Sequence, residues 1–115
     1  MTVAARRARI DGAAPIFGAL GDATRLRLVS RLVDDGPLSI VQLTADTKIT
    51  RQGVTKHLRV LSDAGVVRDR WRGRERIWEI DGARLDVARK FLDHASQRWD
   101  ETLGRLREFV ERGPG

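Results

Sequence analysis

The stretch that most constrains this chain is Ile49–Leu61, which reads ITRQGVTKHLRVL. Thr50 is a favourable N-cap residue, and Val54, Leu58 and Leu61 recur at i, i+4 and i+7, which predicts a short helix with one inward-facing stripe. The other face carries donors and cations without a carboxylate, namely Arg51, Gln52, Thr55, Lys56 and Arg59. Such groups suit the base edges and phosphates of a DNA major groove, although a basic helix can also be merely solvated.

The distribution of charge supports a polyanion site in the same region. The formal net charge is +6, and residues 48–76 hold nine basic and three acidic side chains, whereas the flanking segments are nearly balanced. A localised basic region is the electrostatic footprint of nucleic-acid binding, while an evenly spread excess would indicate only solubility.

Length and composition limit the alternatives. A chain of 115 residues is expected to form one domain with a modest core, and the absence of cysteine excludes disulfides and thiolate metal sites. No apolar run is long enough to cross a membrane, and no signal peptide is recognisable, so we expect a cytoplasmic protein. We find no Ser/His/Asp-like cluster, phosphate-binding glycine loop or HExxH motif, and therefore expect neither an enzyme nor a cofactor.

The pattern along the chain predicts a mostly α protein with five helices. Residues 1–12 show no clear period and are predicted to be flexible, followed by a first helix over 13–20. Asp22 is positioned to cap a second helix, for which we predict an apolar face at helical spacing: Leu26, Val29, Leu32 and Val33. Ser39 is positioned to cap a third.

The third and fourth helices, Ser39–Ala45 and Thr50–Asp63, are separated by a short polar turn, which predicts a helix-turn-helix. After Gly65 the pattern changes to two strands, Val66–Trp71 and Glu75–Ile80. The end of this hairpin is rich in arginine, namely Arg70, Arg72, Arg74 and Arg76. A cationic hairpin at this place is typical of the wing of a winged helix, whose guanidinium groups, Arg72 and Arg74 above all, suit phosphates and a narrow minor groove.

The last helix is predicted to run from Ala83 to Arg112, and its apolar residues recur at a spacing of seven. A helix of about 28 residues in this segment would be roughly 42 Å long at 1.5 Å per residue, which exceeds what a core this small can cover, so we expect part of its apolar face to meet a second subunit. The predicted dimer interface combines this stripe with the first helix: Ile16, Phe17, Leu92, Trp99, Leu103 and Leu106. A helix folded back on its own domain is the alternative.

Three segments resemble the ArsR/SmtB family of winged-helix repressors. Residues 20–28 (LGDATRLRL) are similar to its LADPTRLRIL signature, Ile49–Leu61 to its LSQSTVSRHLKVL, and residues 64–67 (AGVV) to its AGLV. The resemblance covers residues 13–111. It implies a homodimer held by the first and last helices that binds an imperfect inverted repeat in its own operator and represses transcription. It also implies that Arg51, Gln52, Thr55 and Lys56 read bases.

Sensing is where the chain departs from the metal-responsive members of that family. They carry a cysteine motif on the third helix, where this chain has residues 39–41 (SIV), and His94 with Asp93 offers too few ligands for a zinc site on the last helix. We therefore expect no metal site, and His57 is expected to be structural. An unidentified small molecule remains the candidate effector. The alternative to duplex DNA is a winged helix that binds RNA or a protein, for which Trp71 would supply an exposed aromatic ring.

Overall fold

The structure, a computed structural model, describes residues 2–113, in which five helices and three short strands follow one another. They are α1 (Val3–Leu20), α2 (Ala23–Asp35), β1 (Leu38–Ser39), α3 (Ile40–Ala45), α4 (Arg51–Asp63), β2 (Val67–Arg72), β3 (Glu75–Ile80) and α5 (Gly82–Arg112). The predicted class is confirmed: the protein is mostly helical, and a small hairpin lies between the fourth helix and the long fifth.

The predicted N-caps start the helices around the helix-turn-helix. The Asp22 carboxylate accepts from the N–H of Arg25, and the Thr50 hydroxyl accepts from the N–H of Gly53. Ser39 and Gln42 form a reciprocal capping box, because each side chain accepts from the backbone N–H of the other. These contacts satisfy amide donors that have no partner inside a helix, and they fix where α2, α3 and α4 begin.

The core forms around the inner face of α4. Val54, Leu58 and Leu61 are completely buried, as their spacing predicts, and they pack in one cluster with Leu43 of α3 and Trp78 of β3. Because α3 and α4 are both anchored in this cluster, the opposite face of α4 is held outward on a rigid support.

The three strands form one antiparallel sheet in the order β1-β3-β2. The hairpin between β2 and β3 turns at Gly73 and Arg74, with Arg72 paired to Glu75, one residue later than the predicted strand end. Gly73 has φ +63°, which side chains disfavour and which a tight two-residue turn requires. The two-residue strand β1, which pairs Leu38 with Trp78, was not predicted.

The first two helices differ from the prediction. Helix α1 starts at Val3 rather than at residue 13, so residues 3–12, predicted to be flexible, are helical, and Pro15 lies inside the helix; Met1 falls outside the described residues. The Thr2 hydroxyl caps this start by accepting from the N–H of Ala5. In α2, the buried residues are Leu28, Val29 and Leu32, whereas the predicted Leu26 and Val33 are exposed.

Helix α5 is 31 residues long, and Ala88 is its buried residue. Its first half packs against α1, where the rings of Phe17 and Phe91 meet edge to face with centroids 5.7 Å apart. Its second half extends beyond the winged domain and leaves an apolar stripe exposed. Within residues 2–113, no helix is long and apolar enough to span a membrane.

Candidate nucleic-acid interface

The five polar residues predicted on α4 line one shallow depression on its outer face, namely Arg51, Gln52, Thr55, Lys56 and Arg59. All except the half-buried Thr55 are exposed. The Thr55 hydroxyl donates to the carbonyl oxygen of Arg51 at 2.9 Å, which leaves both lone pairs of its oxygen available as acceptors. The depression therefore presents guanidinium, ammonium and amide groups without any carboxylate among the residues that line it.

A polar network holds α4 against the junction of α1 and α2. The Arg25 guanidinium donates to the carbonyl oxygen of Ala19 at 2.6 Å, and it lies 3.4 Å from Nδ1 of His57. The carboxylate of Asp22, which caps α2, lies 3.9 Å from the same nitrogen of His57. Arg25 thus links α1, α2 and α4, and its contact with His57 agrees with the structural role predicted for this histidine.

The two contacts of His57 require different protonation states of one nitrogen. Nδ1 accepts a hydrogen bond from Arg25 only when it carries no proton, whereas it attracts the Asp22 carboxylate when the ring is charged. The contact with Arg25 at 3.4 Å is the shorter of the two and lies within hydrogen-bonding range, whereas that with Asp22 at 3.9 Å does not. Sequence analysis missed Arg25, although it lies inside the 20–28 motif.

The pKa of Asp22 lies below its usual value. The main cause is the hydrogen bond from the N–H of Arg25, and the positive charges of the Arg25 and His57 side chains act in the same direction, while desolvation opposes them. A charged carboxylate at this helix N-terminus is therefore the favoured state near neutral pH. The charged carboxylate maintains the N-cap of α2, next to His57 of α4.

Most of the wing arginines have acidic partners within the hairpin. Arg68 and Arg70 both contact Glu79, Arg76 pairs with Asp69, and Arg72 lies 3.9 Å from Glu75. The Arg76 guanidinium also stacks over the Trp78 ring at 5.0 Å. Within residues 2–113, Arg74 is the one arginine of the hairpin without an ion pair, and it lies at the exposed turn. Of the two predicted wing contacts, Arg74 is thus the better positioned for a phosphate.

A cleft joins the wing to the outer face of α4. It is lined by Arg51 and Thr55 of α4 and by Trp71 and Arg74 of the wing, among others. Trp71 is 67% exposed, so the wing presents a large aromatic ring beside the basic face. The structure therefore brings the α4 residues and the wing together on one side of the molecule.

The residues predicted for a dimer interface separate into two groups. Leu92, Trp99, Leu103 and Leu106 are exposed along α5, together with Phe109 and Val110. In contrast, Ile16 is 1% exposed because it packs in the core of its own chain, and Phe17 is half-buried against Phe91. Ile16 has no surface to offer a partner, which corrects the predicted set.

The metal-ligating side chains are scattered over the described residues. No group of three or more His, Asp or Glu side chains comes close enough to hold a metal ion between residues 2 and 113. His57 contacts Arg25, and His94 lines a cavity together with three arginines. A divalent cation would be repelled there.

Known proteins agree with this architecture. A family model described as a helix-turn-helix domain matches residues 20–70. The HTH-type transcriptional regulator Rv2034 of Mycobacterium tuberculosis is 40% identical over 93 residues, which cover 81% of this chain and 83% of that protein. The arsenic resistance transcriptional regulator ArsR1 of Pseudomonas putida is 28% identical over 101 residues, covering 84% and 79%.

Among solved structures, an ArsR-like transcriptional regulator from Rhodococcus sp. RHA1 is similar, with a TM-score of 0.72 at 28% identity and a coverage of 85% of this chain and 92% of that one. The fold and the exposed basic helix define a winged helix-turn-helix regulator. The chain belongs to the ArsR family of transcriptional regulators, and it is a DNA-binding protein rather than an enzyme.

Proposed function

We propose that this protein is a homodimeric, cytoplasmic repressor of its own operon that binds an imperfect inverted repeat in duplex DNA. The observation that carries the proposal is the outer face of α4, where five donor or cationic side chains form one surface without an acid. In this arrangement α4 enters the major groove, where Arg51, Gln52 and Thr55 meet base edges and the two cations Lys56 and Arg59 meet phosphates.

The wing supports the same orientation. Arg74 is exposed at the turn and lies in the cleft that joins the wing to α4, so a duplex held by α4 passes within reach of its guanidinium. Arg72 adds a second cation when its long contact with Glu75 opens. Arginine at a hairpin tip binds phosphates and narrow minor grooves irrespective of most base identities.

The exposed stripe of α5 supports the dimer. Six large apolar side chains along α5 are at least 40% exposed, namely Leu92, Trp99, Leu103, Leu106, Phe109 and Val110. An apolar surface of this extent is typical of an interface between protein subunits. A second copy of the chain offers the same stripe, so the two stripes cover each other about a two-fold axis.

Selection of bound sequences from a random duplex pool tests the proposal. We expect enrichment of an inverted repeat whose half-sites are one helical turn apart, about 10 base pairs between centres. Enrichment of a single half-site would contradict the dimer, and no enrichment would contradict sequence-specific binding. A reporter fused to the promoter of the protein's own gene then tests repression, because added protein should lower its expression.

The exposed ring of Trp71 favours a second candidate function, binding of single-stranded RNA. Bases of single strands stack on exposed aromatic rings, and a basic face beside such a ring is a suitable platform. Titrations with duplex DNA and with single-stranded RNA of equal length and at equal salt distinguish the two. The proposed function requires tighter binding of the duplex.

A further inference from the structure

A cavity of about 380 Å³ lies between the N-terminal half of α1 and the middle of α5, on a part of the molecule that the proposed DNA contact does not use. All four side chains that line it are basic, namely Arg6, Arg9, His94 and Arg98. Helices α1 and α5 are antiparallel here, since Phe17 meets Phe91 while residues nearer the start of α1 meet residues further along α5.

The basic groups of this cavity are poorly supplied with acceptors. Arg98 donates to Glu101 at 3.2 Å, but the side chains of Arg6, Arg9 and His94 have no hydrogen-bond or ion-pair partner among the described residues. The Nε–H of Arg9 is buried and donates to no acceptor among the described residues. A buried guanidinium N–H without an acceptor is costly, and like charges in one cavity repel each other.

We propose that this cavity binds a small oxyanion that carries a phosphate group, either free inorganic phosphate or a phosphate monoester. Guanidinium groups match the geometry of phosphate oxygens and form charge-assisted hydrogen bonds with them. A bound phosphate gives the Arg9 Nε–H an acceptor and neutralises charge contributed by two helices. It thereby joins α1 to α5.

The cavity stays accessible in the proposed dimer. At about 100° per residue, Arg98 lies roughly 120° and His94 roughly 160° around α5 from the centre of the stripe of Leu92, Trp99 and Leu103. A ligand can therefore enter while the stripe is covered. Binding of phosphate to this cavity does not depend on the proposed function. An effect of bound phosphate on operator affinity does rest on the proposed function, because such an effect would act through α1 and α5, the helices of the proposed dimer.

Thermal unfolding and calorimetric titration of the full chain with sodium phosphate, at fixed pH and at an ionic strength balanced with sodium chloride, test the site. We expect saturable stabilisation by phosphate in the wild type, and the same with phenyl phosphate if monoesters fit. Arg6→Gln with Arg9→Gln should weaken the apparent phosphate affinity by about tenfold or more, since two charge-assisted hydrogen-bonding groups are lost. The matched control, Arg105→Gln with Arg107→Gln, removes equal charge from α5 outside the cavity and should bind phosphate like the wild type.

Two results would overturn the site. One is an equal phosphate response in the wild type and in both double variants, which would show general screening of positive charge. The other is a lack of any phosphate response in all three proteins, combined with a lower duplex affinity of the Arg6→Gln, Arg9→Gln variant in phosphate-free buffer. That result would show that these two arginines contact DNA rather than phosphate. Failure of the wild type to bind duplex DNA would reject the proposed function but leave the phosphate titration interpretable.

Discussion

Two kinds of hydrogen-bonding group occupy the outer face of α4, and they are expected to affect binding differently. The Gln52 amide and the Thr55 side chain present directional groups and a methyl to base edges, while Lys56 and Arg59 are cations that suit phosphates. We predict that Gln52→Ala and Thr55→Ala relax the base preference by about 1–3 kcal/mol at the positions they read. Lys56→Ala and Arg59→Ala should weaken all sequences about equally.

Titration of each variant with the selected operator and with single-base mismatches measures both effects. Val33→Ala is a suitable control, because Val33 is an exposed apolar residue on α2 that does not line the cleft between α4 and the wing. Unchanged mismatch penalties in the Gln52 and Thr55 variants would remove these residues from base recognition.

Gly53 shows that a glycine in a helix can be required by packing. A Cβ atom at this position would lie 2.5 Å from Cγ2 of Ile49, a methyl that is fixed to a branched and therefore stiff side chain. We predict that Gly53→Ala lowers the free energy of unfolding, although alanine alone would favour the helix by about 1 kcal/mol. Chemical denaturation measures the change.

Gly104 of α5 provides the matched comparison. A Cβ atom there meets nothing within 4 Å, so Gly104→Ala should raise the free energy of unfolding by up to about 1 kcal/mol. The double change Ile49→Ala with Gly53→Ala should recover part of the loss caused by Gly53→Ala alone, because it removes the clashing methyl. Equal effects at the two glycines would reject this explanation.

The lowered pKa of Asp22 predicts how acid affects stability. A carboxyl whose pKa is lower in the folded than in the unfolded state stabilises the fold above its unfolded pKa, about 3.9, and this contribution is lost as pH falls through the folded pKa. We predict that the stability advantage of the wild type over Asp22→Asn shrinks from pH 6 to pH 3. Urea unfolding across this range measures it, and an advantage that is independent of pH would contradict the assignment. The pKa of Asp86 is also lowered, but Asp86 is present in the wild type and in Asp22→Asn, so its contribution cancels in the stability difference between them.

At the scale of the elements, the wing differs from a uniformly cationic hairpin because its own acids pair most of its arginines. Each phosphate contact that is lost reduces the slope of log K against log salt by about 0.9. We predict that Arg72→Ala with Arg74→Ala lowers duplex affinity and reduces this slope by up to about 1.8. Arg68→Ala, which removes a charge paired with Glu79, should change the slope much less. An unchanged slope in the double variant would mean that the wing does not touch DNA.

The sequence predicted the elements that have strong local signals. The inner stripe and N-cap of α4, the glycine turn of the wing and the long α5 each follow from residues close together in the chain. The apolar face of α2 was assigned incorrectly because Leu26, Leu28, Val29, Leu32 and Val33 cover a broad arc, and tertiary packing selects which side of that arc is buried.

Other elements lacked a periodic signal altogether. The start of α1 is rich in alanine and arginine and buries little, so its apolar periodicity is weak, while strand β1 has only two residues and exists through its pairing with β3. At the site, Arg51, Gln52 and Lys56 could be predicted from one helical face. The contact between Arg25 and His57 could not, since it joins residues that are far apart in the chain.

The whole molecule is elongated, with extents of 72 × 31 × 20 Å, because α5 continues past the winged domain. At 1.5 Å per residue its 31 residues span roughly 46 Å. Two copies of α4 enter successive major grooves on one side of a duplex only when they are held about 34 Å apart. We therefore propose that α5 fixes the distance between the two copies of α4, through dimer contacts of the stripe around Trp99, Leu103 and Leu106.

Placing a charge in this stripe tests the assignment. We predict that Leu103→Glu or Leu106→Glu yields a monomer, because an unpaired carboxylate in an apolar interface costs several kcal/mol, and that operator affinity falls by more than the loss of any single phosphate contact. Gln97→Glu introduces the same charge at an exposed position on the other side of α5 and should stay dimeric. Sedimentation, circular dichroism and duplex titration on the same samples separate a folded monomer from an unfolded chain. A monomeric wild type, or a Leu103→Glu protein that remains dimeric and binds its operator normally, would place the interface elsewhere on the molecule.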